Sequence, residues 1–463
     1  MSSNQGCQHR RPKAEVVAPG PRRGRPADRA ANQEAASAVL PARVQSFRAT
    51  VMTPRAGSGE LRFEADGLVV VEGERIAHVG PWDAEAARGD LFDRRGTILI
   101  PGFVDTHVHY PQTRVVGRAS GPLLDWLTSS VFPEEARFAE LDYAREVAGE
   151  LTERLLSRGT TTASIYSSSH PGATAVCFDA LDRAGLRATL GLTLMDQSCP
   201  DALRVAADVA LPAARDLADR YHDRDRGRLR FAITPRFAIA CSRPLMEAAA
   251  LLAHDRQLPI QTHVAENPRE GMETLAMHPW GADYIDVYDQ VGLVGERTIL
   301  AHAIHLSPRE TDVITERGAS IAHCPDSNFF LGSGCMRLRE AVRRGIRVGL
   351  GTDVAAGRSF DLRRTIGAAY DASLVVGERV SPEELFALAT LGGAQALGQG
   401  DVTGSIEVGK DADFALMSAP SWLPGEVGAV LAHVAFAPDQ GRVLATYVRG
   451  TRRWAADDVS SAS

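Results

Sequence analysis

At 463 residues and 44% hydrophobic content, the chain exceeds one small core and has room for a barrel of roughly 250–400 residues plus an appendage. Residues 1–45 hold eight Lys/Arg against three Asp/Glu and the rest 43 against 55, an acidic body that argues against nucleic acid as the main partner. With no apolar run long enough to cross a bilayer, no apolar signal-peptide core at the start and six scattered cysteines, a cytoplasmic enzyme with reduced thiols is expected.

The stretch RRPKAEVVAPGPRRGRPADRAANQ is rich in Pro, Gly and Arg and has no apolar period, so residues 1–45 are expected to form a disordered basic tail, dispensable for activity. Its Arg23-Gly24-Arg25-Pro26 resembles the core of a minor-groove AT-hook, a weak signal as a single copy. Residues 46–96 alternate short apolar stretches such as GLVVVEGERIAHVG with Gly-rich turns, which predicts a small β domain. From 97 to 400 the pattern changes. Strand candidates recur at TILIPGFVD, TTTASIY, ATLGLTL, LRFAITPRF, PIQTHVA, TILAHAI, ASIAHCP and RVGLGTD. Helical stretches lie between them, including Asp142 to Arg158, Pro244 to Arg256 and one opened by a Ser307-x-x-Glu310 capping box. Eight strands alternating with helices predict an α/β fold, a (β/α)8 TIM barrel. Ser381-Pro382-Glu383-Glu384 starts a further helix. Residues 401–455 then return to short β signals in GSIEVGKDADFALM, and pairing them with 46–96 gives one small β-sandwich built from both chain ends, with 456–463 as a tail.

Metal-ligand residue types hang at the ends of four of these strands. His107 and His109 close GTILIPGFVDTHVH, and residues two apart on a strand face the same side, so both can bind one ion. His263 closes PIQTHVAE with Glu266 three residues on, His302 sits in TILAHAIHL, and Asp353 ends RVGLGTD. Three imidazoles and a carboxylate suit one Zn²⁺ or Fe²⁺ with room left for a water. A lone strand His is more often a hydrogen-bonded core residue, but here the first, fifth, sixth and eighth strands all end in ligand types, where barrel active sites form. His78, His222, His254, His278 and His433 carry no such pattern, His9 and His170 read as tail and loop, and His305 and His323 stay undecided.

The opening PGFVDTHVH, the spaced His, His and Asp, and GSIEVGKDADF resemble the amidohydrolase superfamily over nearly all of the chain after the tail. Within it, HYPQ at His109–Gln112, LLDWL at Leu123–Leu127, TPRF at Thr234–Phe237 and HCPDSNFFLGSG at His323–Gly334 resemble the guanine deaminases. The resemblance implies a homodimeric hydrolase that converts guanine to xanthine and ammonia with one zinc ion on His107, His109, His263 and Asp353 and a metal-bound hydroxide as nucleophile. It also implies Glu266 as proton shuttle assisted by His302 and Asp353, and Gln112, Arg236, Phe237 and His263 against the purine. His302 has two roles open to it, coordinating the ion or hydrogen-bonding the water.

Taken without the resemblance, Arg236 reads as a salt-bridge residue, Phe237 as a core aromatic and Glu266 as an exposed helix-start Glu. Asp105 either orients a ligand or pairs structural groups beneath the site, while Trp126 and Phe330 read first as core packing and second as pocket walls. A relative acting on another amino- or halo-substituted ring, of the 8-oxoguanine, adenosylhomocysteine or triazine type, is the runner-up. A non-catalytic scaffold is disfavoured by the full ligand set. The absence of H-x-E with P-C-x-x-C excludes the cytidine-type zinc deaminase fold.

Overall fold

The computed structural model describes residues 43–118 and 121–457. The basic tail, with its Arg23–Pro26 motif, and the terminal stretch 456–463 lie outside the described residues except at 43–45 and 456–457. The chain opens with β1 (Val44–Pro54), β2 (Leu61–Glu72), β3 (Arg75–Pro81) and β4 (Asp90–Pro101). Eight strands follow: β5 (Phe103–His109), β6 (Thr160–Tyr166), β7 (Arg187–Leu194), β8 (Leu229–Pro235), β9 (Ile260–Val264), β10 (Thr298–His302), β11 (Ser320–His323) and β12 (Val348–Leu350). It closes with β13 (Phe414–Ser418), β14 (Val443–Val448) and β15 (Thr451–Ala455).

Strands β5 to β12 are parallel, each beside its neighbour in chain order. The last meets the first through Asp353 N–H donating to the His107 carbonyl at 2.8 Å and His109 N–H to that of Val354 at 3.2 Å. Helices separate the strands, as the alternation predicts, so this is a (β/α)8 barrel. Sequence chemistry starts several of those helices. Asn267, Ser307 and Ser381 each form a capping box with the Glu three residues on, followed by Pro at the first turn. The helix expected from Asp142 to Arg158 spans Leu141–Ser157. Among the described residues no helix is long and apolar enough to cross a membrane, and the five described cysteines are free thiols.

The chain ends build one seven-stranded sheet, ordered β15-β14-β13-β4-β1-β2-β3. Phe47 of β1 lies 5.1 Å from Phe414 and 5.3 Å from Tyr447, ring centre to ring centre. Since β1 and β14 are three strand spacings apart, about 14 Å in a flat sheet, the sheet must fold over its own core. Two acidic residues of GKDADF then tie it to the barrel. Arg187, the first residue of β7 and 1% exposed, donates to Asp411 at 2.6 Å and Asp413 at 3.0 Å, and Arg449 reaches Asp411 at 3.1 Å.

The apolar run TILIPGFVD is divided between the two sheets. Thr97–Pro101 completes β4, antiparallel to β13, so the boundary drawn at residue 97 falls inside a strand; the barrel starts at Phe103. Hydrophobicity alone does not mark such a break, because both sides are buried. Gly102 marks it: a Cβ there would sit 2.1 Å from Thr161 Oγ1. Gly102→Ala is therefore expected to lower unfolding free energy by about 1–3 kcal/mol in a urea titration; an unchanged midpoint would show that the seam yields.

Candidate active site

The barrel brings the five residues of the ligand pattern together, His107, His109, His302 and Asp353 nearly fully buried and His263 partly so. His107 and His109 alternate on β5 around Val108, so their rings enter the same space. His109 Nε2 lies 3.2 Å from His107 Nε2 and 3.1 Å from His263 Nε2. Asp353 Oδ1 is 3.2 Å from His107 Nε2 and 3.4 Å from His109 Nε2. Asp353 lies three residues past the end of β12, in a loop with φ +48°, while His302 ends β10 with φ +71°. Left-handed backbone at non-glycine residues costs on the order of 1–3 kcal/mol and gathers at functional sites. Here Ala265 and Ala303 adopt it as well.

The donor set fits a divalent cation. Burial pushes the imidazoles of His107 and His263 below the usual range and that of His109 to about 4, so their lone pairs are free at neutral pH. Burial would raise the Asp353 carboxyl, but the facing His107 and His109 hold it well below the usual carboxylate range. His263 Nδ1 donates to the Arg236 carbonyl at 2.6 Å, which turns Nε2 inward. Cys324 also comes within ligand distance of His107 and Asp353, but burial pushes its thiol well above the ordinary range and keeps it protonated. Asp105 does not touch an imidazole. It accepts the backbone N–H of His107 at 3.2 Å and both Thr352 N–H and Oγ1–H, at 2.9 and 2.5 Å, so it pins β5 to the loop after β12.

Glu266 is 2% exposed and precedes the N-cap Asn267, not on the helix surface. Its backbone N–H donates to Glu270 at 2.9 Å. Its Oε1 accepts from Ser333 Oγ at 3.1 Å, and its Oε2 faces His302 Nε2 at 3.4 Å. Burial, aided by Asp353, raises its carboxyl to about 8. His302 Nδ1 donates to Asn328 Oδ1 at 3.0 Å, and its Nε2 has no hydrogen-bond partner. Nε2 thus faces both acids, 3.4 Å from Glu266 Oε2 and 3.8 Å from Asp353 Oδ2.

A pocket opens over these groups. Its lining also includes Gln112, Arg236 and Phe237, together with Leu123, Trp126, Leu127 and Leu331. Trp126 thus lines the pocket, whereas Phe330 does not and Leu331 takes that position. Arg236 does form a salt bridge, as its residue type suggests, to Glu135 at 2.6 Å. Glu135, Ser333, Asn328 and Tyr166, whose ring packs 4.6–4.9 Å from those of His107, His109 and His263, were not singled out from sequence. Ser333 and Asn328 lie inside the HCPDSNFFLGSG stretch; Glu135 and Tyr166 sit in segments with no recognisable spacing. Of the undecided histidines, His305 braces the Ser333 carbonyl at 2.7 Å, and His323 is buried with neither nitrogen bonded.

A barrel with converging imidazoles and an acidic residue at its C-terminal end defines a class, and the family model for the amidohydrolase family matches residues 98–453. The chain belongs to the amidohydrolase family. It is similar to the guanine deaminase of Escherichia coli, 38% identical over 375 residues, 80% of this chain and 84% of the relative. Among solved structures it resembles a guanine deaminase from C. acetobutylicum with bound guanine in the active site (TM-score 0.83, 31% identity, 88% of this chain and 99% of that one). It also resembles an adenosine deaminase from Xanthomonas campestris with bound zinc (TM-score 0.77, 27% identity, 89% and 94%).

Proposed function

We propose that this chain hydrolyses the exocyclic C–N bond of guanine, releasing xanthine and ammonia. The observation that carries the reading is one pocket lined by the buried Glu266 with His109, His263, His302 and Asp353, and also by the donors of Arg236 and Gln112. The names of the relatives and the guanine in one neighbour support the substrate. A divalent ion on His107, His109, His263 and Asp353, zinc in this reading as in the neighbour, supplies Lewis acidity that brings the pKa of a water to about 7. A cytoplasmic location and a homodimer go with the reading as implications of the family resemblance.

Glu266 carries the protons. With its carboxyl raised to about 8, it gains and loses a proton near neutrality at little free-energy cost. As water adds to the ring carbon bearing the amino group, Oε2 takes a proton from the water and delivers it to the adjacent ring nitrogen. It then takes the remaining proton of the added hydroxyl and passes it to the amino group, which leaves as ammonia while the C=O forms, because amide ion is too basic to depart. His302 Nε2, 3.4 Å from Oε2, stands beside this carboxyl through both transfers. Arg236 donates to the ring carbonyl, Gln112 meets the ring edge and Phe237 lies beside the ring. A purine without the carbonyl leaves buried guanidinium N–H groups unpaired, which selects against it.

Purified protein is expected to convert guanine to xanthine and ammonia in equal amounts, and to act at least about 100-fold more slowly on 8-oxoguanine, adenosylhomocysteine and triazine rings. Turnover of a panel ring with guanine untouched would replace the substrate. Dialysis against a chelator is expected to abolish turnover and added Zn²⁺ to restore it; full activity in protein with no metal detectable by elemental analysis would remove the ion from the reading.

A further inference from the structure

We infer that Glu135 is the positioning residue that sets specificity for the ring carbonyl, by holding Arg236 and Gln112 as one donor fork; this rests on the guanine reading above. Glu135 lies on the short helix Phe132–Ala136 and has no exposed surface. One carboxylate oxygen, Oε2, accepts Arg236 Nη1 at 2.6 Å, and the other, Oε1, accepts Gln112 Nε2 at 3.2 Å. Gln112 Oε1 in turn accepts Ala355 N–H at 3.2 Å, so its amide has a single orientation. Phe132, on the same helix, lies 5.2 Å beneath the guanidinium, so that helix fixes the plane of Arg236 as well as one of its N–H groups.

The consequence is a division of labour within two side chains. Arg236 and Gln112 each commit one N–H to Glu135 and keep the others for the pocket that both line. The carboxylate, bridging the two side chains, also offsets the guanidinium charge, so the fork presents donors without a net buried charge that would favour an anion over a neutral base. Glu135 itself does not line the pocket, so it acts through its two partners and not on the ring.

Glu135→Gln keeps the shape but turns one acceptor into a donor facing a donor. We expect kcat/KM for guanine to fall about 100-fold or more, mainly through KM, while 2-aminopurine, which carries the amino group but no ring carbonyl, loses less than about 5-fold. Glu135→Asp should recover part of the guanine loss. Equal losses on both rings, with or without recovery, would overturn the assignment, because a general packing defect does not discriminate between them. Crystal structures of the parent and of Glu135→Ala give a readout independent of the substrate: Arg236 displaced from its parent rotamer supports the holding role, and Arg236 unmoved overturns it. If the parent leaves guanine untouched, the substrate reading falls by itself and the rotamer comparison still decides for or against Glu135.

Discussion

Glu266→Gln is expected to lower kcat for guanine by on the order of 10²–10⁴-fold while leaving metal content and KM close to the parent's. The substitution is nearly isosteric, and the amide oxygen can still accept from Ser333 Oγ, which holds the parent carboxylate at 3.1 Å. What disappears is a group able to take a proton, at the one place in the pocket where burial has brought a carboxyl to about 8. Glu266 lies outside the His107, His109, His263 and Asp353 set, so elemental analysis separates the outcomes. A variant that turns over normally would remove Glu266 from the chemistry. One that loses metal in proportion to activity would make it a structural support of the ion site.

The second large effect is on stability. Arg187→Ala leaves Asp411 and Asp413, 4% and 2% exposed, with Arg449 at 3.1 Å and the more distant Arg75 at 4.0 Å from Asp411 as the remaining arginines, and breaking such a buried pair costs about 3–5 kcal/mol. Denaturant unfolding is expected to show that loss, with kcat per folded molecule unchanged because Arg187 starts β7 and the site lies at the strands' other ends. Removing the carboxylates together with the arginine, in Arg187→Leu with Asp411→Asn and Asp413→Asn, should return part of the loss, since no uncompensated charge stays buried. An Arg187→Ala protein as stable as the parent would mean that water or the remaining arginines, Arg449 and Arg75, take over the acids.

Strand alternation and ligand residue types were readable because both obey short-range rules. A strand's alternating faces bring His107 and His109 into one space, and the capping box at Ser307–Glu310 starts the helix where its pattern stands. Positions that depend on contacts distant in sequence were not readable. Glu135 acquires its role only when Arg236, 101 residues away, is folded against it, and the local text VFPEEARF looks the same in a solvated helix. Asp105 illustrates the same limit: its spacing to His107 permits a bond to the ring, yet the oxygens turn to Thr352, 247 residues on. The division at Gly102 was hidden because both sheets bury β-branched and aliphatic residues alike. Glu266 shows the reverse case, a residue whose helix-start text suggests exposure while the Asn267 cap carries the helix and leaves the acid inside.

The seven-stranded sheet also sets an order in time. Strand β4 needs β13 as its neighbour, with Pro101 opposite Phe414, and the whole barrel is encoded between them. At about 5–20 residues per second, roughly 300 further residues emerge from the ribosome over some 15–60 s before that partner exists. Through that interval the β4 edge presents unpaired backbone groups flanked by Ile98, Leu99 and Ile100, the kind of edge that pairs with other chains. The barrel can gather its strands in the order they are made, each beside the last, but the sheet built from the chain's two ends can be finished only after synthesis has reached the far side of the barrel.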